Sequence, residues 1–324
     1  MKFLTLAASA GLLATASAKN ILLTNDDGWA ATNIRALYRD LTAAGYRVVT
    51  VAPAQQYSGN GGRFIVPSQN TLEKDALFSY PVQGSPSWGY EENDMNMWYF
   101  NGSPSACVAM GLDYVLPNYF DNMTIDLVIG GPNEGNNLGE RDFALSGTVG
   151  AVYYATERGY PAIAVSGANS NNSFFKDNLN DDPEAAANIN SQTTVKFVNA
   201  LFESEVEGEP LLPIATALNI NIPVAGTDMN SDCFEPTFRH TRLTGSNSKV
   251  YTVYFNETSE LIAMNIGNSE AVKNCIAGDC DLPDEFTIIG NKQCEATVAA
   301  FTIDYDLSTD ITNQVVELFK PLLS

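Results

Sequence analysis

Histidine is almost absent from this chain: His240 is the one example in 324 residues. A zinc hydrolase of the HExxH type needs two histidines and a three-histidine metal centre needs three, so both are excluded. Basic residues are also scarce, with 17 Lys plus Arg against 38 Asp plus Glu and a formal net charge of −21. Such a chain lacks the basic footprint that neutralises nucleic-acid phosphates, which excludes a general nucleic-acid binder. No uncharged apolar run reaches the roughly 18 residues of a membrane-crossing helix. There is no CxxC pair among the five cysteines, no internal repeat, no heptad pattern and no low-complexity tract.

What remains is ordinary globular material. Hydrophobic residues make up 45% of the chain, enough for a sizeable core, so extensive disorder is excluded. The length allows one large α/β domain or two smaller ones. Residues 1–18 stand apart: Lys2 gives a positive start, Phe3 to Leu13 a short apolar stretch, and Ala16-Ser17-Ala18 a small-residue cleavage site. This is the pattern of a secretory signal peptide, with Lys19 as the expected mature N-terminus and a secreted, extracellular product.

The cysteines fit an oxidising compartment. Cys233, Cys275, Cys280 and Cys294 cluster in the last third, while Cys107 lies in an apolar run and reads as a small buried hydrophobe. Four cysteines allow three pairings; Cys275–Cys280 with Cys233–Cys294 is one of them. Sequons occur at Asn101, Asn122, Asn171 and Asn256. Asn171 and Asn256 sit in polar stretches suited to glycans, whereas Pro104 follows the serine of the Asn101 motif.

Along the chain, short apolar runs alternate with helical patterns. Asn20 to Thr24, Tyr46 to Val51, Met97 to Phe100, Asp126 to Ile129 and Pro161 to Val165 read as buried strands. Ile34, Leu37, Tyr38 and Leu41 have helical spacing, and helices are expected over Ser105–Val115, Thr148–Arg158 and Pro183–Phe202. The fold class is therefore α/β, Rossmann-like, with a mostly parallel sheet carrying helices on both faces. Asn169 to Gln192 reads as a surface loop leading into its helix. After a strand at Ile214 to Ile220 the character changes. Val250 to Phe255 and Thr297 to Ile303 alternate like antiparallel strands, and Thr312 to Leu323 reads as a closing helix. The expected organisation is a signal peptide (1–18), a catalytic core (19–222) and a β-rich, cysteine-containing extension of the same domain (223–324).

In a parallel sheet, ligands bind beyond the carboxyl ends of the strands. Asp26-Asp27 follows the first strand, Ser58-Gly59-Asn60-Gly61-Gly62 the second, Asn101 to Pro104 the Met97 strand, and Gly130-Gly131-Pro132-Asn133 the Asp126 strand. Together they make an oxygen-rich rim of the kind that hard divalent cations prefer. An acid pair at a strand end is also an ordinary turn and cap signal, and a glycine-rich turn alone is weak evidence of a phosphate cradle.

Taken in order, Ile21-Leu22-Leu23-Thr24-Asn25-Asp26-Asp27-Gly28, Val51-Ala52-Pro53 with Ser58-Gly59, Gly102-Ser103-Pro104, Asp126 to Gly139 and Ser146 to Ala151 resemble the survival protein SurE family. The resemblance spans about residues 20 to 168. It implies a metal-dependent phosphatase acting on phosphomonoesters such as nucleoside monophosphates, of 5′-nucleotidase or acid-phosphatase type. It further implies that Asp26, Asp27, Ser58 and Asn133 hold one Mg²⁺ or Mn²⁺, with Asp26 and Asp27 as the catalytic pair. A homodimer or larger homo-oligomer is implied as well. Backbone groups of Ser58, Gly59, Asn60, Ser146, Gly147 and Thr148 are the expected substrate cradle. The leader and the late cysteines look more like the fungal secreted acid-phosphatase branch. Tyr57 replaces a commonly basic residue, Ala106 a commonly acidic one, and Thr32-Asn33 the usual Pro-Gly.

Two other phosphate chemistries fit poorly. Arg239-His240-Thr241-Arg242 approaches the RHGxRxP signature of histidine acid phosphatases but lacks its glycine and adjoins strand-like sequence. A response-regulator receiver needs an Asp at the third strand end and a later Lys, and neither is in place. A secreted binding protein of the same fold with little turnover is the remaining alternative.

Overall fold

The computed structural model describes residues 18–169 and 172–322. The expected signal segment, apart from Ala18, lies outside these residues, as do Asn171 of its sequon and Leu323 of the closing helix.

The described residues build one nine-stranded sheet and a separate two-stranded hairpin. β1 (Asn20–Thr24) leads into α1 (Thr32–Ala43) and β2 (Arg47–Pro53). A long excursion then returns through β3 (Trp88–Glu91) and β4 (Asp94–Phe100). α2 (Pro104–Met110), a π-helical turn and the short α3 (Leu116–Tyr119) precede β5 (Leu127–Glu134). α4 (Gly139–Leu145) and α5 (Gly147–Glu157) follow, then β6 (Ala162–Gly167), α6 (Phe175–Asn178), α7 (Ala186–Glu203) and β7 (Thr216–Ile222). The remainder contributes β8 (Thr237–Thr241), the hairpin β9 (Lys249–Asn256) and β10 (Leu261–Asn268), α8 (Glu285–Gly290), β11 (Glu295–Thr302) and α9 (Thr309–Phe319).

The strand order is β3-β4-β2-β1-β5-β6-β7-β11-β8. The run from β4 to β7 is parallel, with β3 antiparallel at one edge and β11 antiparallel to β7. β1 shows why the inner strands read as continuous apolar runs. Ile21 and Leu23 pack on one face with Ile34 and Leu37 of α1, while Leu22 packs on the other with Cys107, Val149 and Val152 of α2 and α5. Burial on both faces leaves no polar alternation in the sequence.

One expectation needs correction. Asn169 to Gln192 is not simply a surface loop: Asn169, Asn188 and Asn190 are buried. Their amides satisfy one another or a neighbour, with Asn33 and Asn169 exchanging two hydrogen bonds (3.2 and 3.0 Å) and Asn190 donating to Asn169 at 2.9 Å. Val250 to Phe255 pairs antiparallel as expected, with β10, and buries neither face: Val253 is 71% and its neighbour Tyr254, on the opposite face, 48% exposed. The strand around Thr297 runs antiparallel to β7, as expected, and lies in the main sheet between β7 and β8.

Cys233 pairs with Cys294 and Cys275 with Cys280, while Cys107 is a buried free thiol whose titration burial pushes upward. His240 lies exposed on β8.

Candidate active site

β1 delivers the acid pair to the carboxyl edge of the sheet, and Asn25 shapes the turn that aims it. The Asn25 amide donates to the Gly28 carbonyl (3.0 Å) and its oxygen accepts from the Gly28 N–H (3.2 Å). Asp26 and Asp27 are each only 2% exposed. Asp26 faces the first turn of α5: Gly147 N–H donates to Oδ2 (3.1 Å) and the Thr148 hydroxyl to Oδ1 (2.8 Å). A Cβ on Gly147 would lie 2.9 Å from the Asp26 Cβ, so glycine is required for this approach. Asp27 accepts the Glu134 N–H at 2.8 Å, which ties β1 to the end of β5.

Asn133 arrives on that same strand end. Its Oδ1 is 3.3 Å from the Thr148 hydroxyl, while its Nδ2 donates to the Gly135 carbonyl at 2.7 Å and is thereby turned away from the acids. The Ser58–Gly62 loop forms the opposite wall. Tyr57 N–H donates to the Asp26 carbonyl (2.7 Å), Gly61 N–H to the Leu145 carbonyl (2.9 Å), and the Asn60 amide to the Tyr57 carbonyl (2.9 Å). Gly59 and Gly61 take positive φ, which turns the loop tightly over α5. Ser58 is exposed, and its hydroxyl oxygen accepts from the Gln56 amide at 2.6 Å. Ser146 caps α5, its oxygen accepting from Val149 N–H at 3.2 Å.

The expected site residues thus fall around one cavity of about 390 Å³, bordered by Asp26, Ser58, Gly59, Asn133 and Ser146, with Asp27, Asn60, Gly147 and Thr148 behind its walls. Sequence reasoning left several of its lining residues out of the expected site, Glu134, Arg141 and Tyr251 among them. Glu134 was hidden in plain view beside Asn133. Arg141 carried one signal, as the single basic residue between Lys74 and Arg158. Tyr251 comes from β9, more than a hundred residues away, and had none.

Electrostatically the site is strained toward neutralisation. Burial pushes the Asp26 carboxyl up against the pull of its Thr148 and Gly147 hydrogen bonds. Burial and then the charge of Asp26 push Asp27 well above the ordinary carboxylate range. Burial raises Glu134 to about 7, and its Oε2 is enclosed without a hydrogen-bond partner. Among the described residues no Lys or Arg forms an ion pair with any of the three. Nor do three or more acid, Cys or His side chains converge on one point. Two buried carboxylates with an amide oxygen and a nearby hydroxyl are a hard-oxygen donor set, short of positive charge, and they fit a divalent cation.

The comparison of the chain with known sequences identifies its relatives. A family model described as survival protein SurE matches residues 21–250. The chain belongs to the SurE family. An acid phosphatase of Yarrowia lipolytica is 41% identical over 291 residues, covering 90% of this chain and 81% of that one. A 5′-nucleotidase SurE of Thermosipho africanus is 31% identical over 237 residues, covering 73% and 74%. The SurE protein structure from Aquifex aeolicus superposes with a TM-score of 0.62 at 21% identity, over 93% of this chain and 99% of that one. The last similarity establishes the SurE fold here, a mostly parallel sheet with flanking helices. The family match begins at the first residue after Asn20 and takes in every residue named above in the cavity except Tyr251.

Proposed function

We propose that this SurE-family protein is a secreted, divalent-metal-dependent phosphomonoesterase of the acid-phosphatase and 5′-nucleotidase type. The observation that carries this reading is the buried Asp26–Asp27 pair, with Asp26 held against the N-terminal turn of α5 and the Ser58–Asn60 loop opposite. The names borne by the Yarrowia and Thermosipho relatives point to the same reaction class.

In this reading Asp26, Asp27, Asn133 and Ser58 hold one Mg²⁺ or Mn²⁺. A bound ion of this kind supplies Lewis-acid polarisation of the phosphoryl group and lowers the pKa of water. The chain does the rest by positioning. Thr148 and Gly147 fix the Asp26 carboxylate, Asn25 fixes the turn, and Asn133 presents its carbonyl oxygen because its amide nitrogen is held by Gly135. The peptide groups of Ser58, Gly59 and Asn60 and the start of α5 at Ser146, Gly147 and Thr148 place backbone dipoles where phosphate oxygens gain charge.

Hydrolysis of a generic phosphomonoester by the purified protein, with Mn²⁺ or Mg²⁺ and then with excess EDTA, tests the proposal. Activity that needs the ion and falls with EDTA is the expected result, and full activity in EDTA overturns the metal mechanism. Binding of phosphate without any turnover identifies the alternative, a binding protein on the same fold.

Secretion is supported by the leader-like residues 1–18 and the two disulfides. Protein recovered from culture medium should begin at Lys19. No helix among the described residues is long and apolar enough to cross a membrane. Assembly into a homodimer or higher oligomer is supported by the apolar residues left exposed on the hairpin, including Val253, Leu261, Ile262 and Met264, and by Leu318 on α9, 83% exposed. Val253→Glu with Ile262→Glu should shift the protein to monomer in light scattering.

A further inference from the structure

The cavity contains a feature that the proposed ligands do not use. Around it lie the carboxyl groups of Asp26, Glu134 and Asp142, and Asp27 lies just behind. Glu140, next along α4, has both carboxylate oxygens enclosed without a hydrogen-bond partner. A phosphomonoester entering here brings up to two further negative charges into an acidic, partly desolvated space. One divalent ion offsets the Asp26–Asp27 pair and leaves the rest of the field opposed to the substrate. Among the described residues a single basic side chain borders the cavity, and it is Arg141.

Arg141 is held in place from two sides. Its Nε and Nη2 donate to Asp142 at 2.6 and 2.7 Å, a two-pronged pairing that fixes the guanidinium plane. Its Cζ lies over the ring of Tyr251 on β9, 4.7 Å from the centroid. The side chain is only 14% exposed, and Nη1 is enclosed with no hydrogen-bond partner. An arginine whose sole role was to neutralise Asp142 could swing into solvent at little energetic cost. This one is instead kept at the cavity wall by an aromatic ring supplied from a distant hairpin, with a donor left over.

We propose that Arg141 is a substrate-binding residue whose guanidinium, at its cavity-facing edge, donates to a phosphoryl oxygen of the phosphomonoester, and that Asp142 and Tyr251 are the positioning residues that seat it. The inference rests on the phosphomonoesterase reading for its substrate and goes beyond it in the residues it assigns. Guanidinium geometry suits a phosphoryl group, whose oxygens accept more than one N–H. It also makes the C-terminal hairpin part of the binding site, since the stacking face of Tyr251 decides where the guanidinium rests.

The test measures inorganic phosphate binding by calorimetry in the presence of Mn²⁺, alongside KM and kcat for a generic phosphomonoester. Arg141→Gln should weaken phosphate binding about ten- to a hundredfold, the loss expected for one charge-assisted hydrogen bond. KM should rise by a similar factor, and the apparent Mn²⁺ affinity should change little. Arg141→Lys should recover only part of the loss. Tyr251→Leu should weaken phosphate binding in the same direction, whereas Tyr251→Phe, which keeps the ring, should match the wild type. Tyr251 is 44% exposed, so its variants serve if Arg141→Gln does not fold. Unchanged phosphate affinity in folded Arg141→Gln or in Tyr251→Leu overturns the proposal while leaving the phosphatase reading intact. Loss of turnover in the wild type would sink that reading instead, and phosphate binding would still decide the role of Arg141.

Discussion

Glu285 Oε2 on α8 accepts the backbone N–H of Gly139 at 3.1 Å, so a carboxyl group from near the end of the chain braces the loop that leaves Asn133. Its other oxygen accepts from Asn219 (2.9 Å) and Asn221 (3.3 Å) on β7, and Asn221 in turn accepts the Asn137 N–H at 2.7 Å. The Asn133-to-Gly139 connection is thereby pinned to β7 and α8 through polar groups that are almost all buried. Glu285 itself is fully buried, and burial pushes its carboxyl up to about 8 despite three donors that pull it down.

Removal of that carboxyl should be felt in stability first. Glu285→Ala strands three buried donors and should cost about 2–4 kcal/mol in urea unfolding. The pH dependence has a definite sign. Because the folded pKa is raised from 4.5 to about 8, the group's contribution is fully present below about pH 4.5 and is lost as pH rises through 8. The stability gap between wild type and Glu285→Ala should therefore narrow between pH 5 and pH 8. A gap that is constant or widens contradicts the assignment.

Thr148 offers a cleaner probe of the acid pair than the acids themselves. Thr148→Val keeps the shape and removes the hydroxyl that donates to Asp26. Apparent Mn²⁺ affinity should fall about 10–100-fold, as for other groups that orient a metal ligand. Turnover at saturating Mn²⁺ should be much less affected. Asp26→Ala or Asp27→Ala should instead abolish ion-dependent hydrolysis at any metal concentration, with the far-UV spectrum unchanged.

Gly150 governs the distance between α5 and the Ser58–Gly62 loop. A Cβ there would sit 2.3 Å from the Gly61 carbonyl oxygen, a backbone atom that cannot rotate away. Gly150→Ala should destabilise the protein by about 1–3 kcal/mol and lower activity without touching a proposed ligand. Gly62→Ala meets no atom within 4 Å and should leave thermal stability near that of the wild type.

The two disulfides should differ in worth. Cys233–Cys294 joins residues 61 apart, Cys275–Cys280 residues 5 apart. Chain-entropy arguments give roughly 4 kcal/mol for the first and about 2 for the second. The paired Cys→Ser variants should melt in that order. Alkylation of the unfolded, unreduced protein followed by mass spectrometry should label Cys107 alone; finding it paired contradicts the assignment.

The sequence alone determined the parallel sheet, because strands covered on both faces must be apolar along their length, and five such runs with helical spacing between them leave few other folds. It also determined that polar, glycine-rich segments follow those strands, which is where a parallel sheet binds ligands. The order of motifs from Asp26 to Ala151 carried the family. Tertiary structure decided what no period or spacing encodes. It brought the Thr148 hydroxyl between Asp26 and Asn133, buried the Asn169 and Asn190 amides by pairing them within a network, and left the alternating hairpin with neither face covered. It set Tyr251 under Arg141 and Glu285 under Gly139, contacts spanning 110 and 146 residues. Local patterns record which side of an element is apolar, and that is a property of each segment by itself. Which polar group meets which across the fold depends on how the segments pack, and a buried carboxylate or guanidinium has a defined partner only once that packing exists.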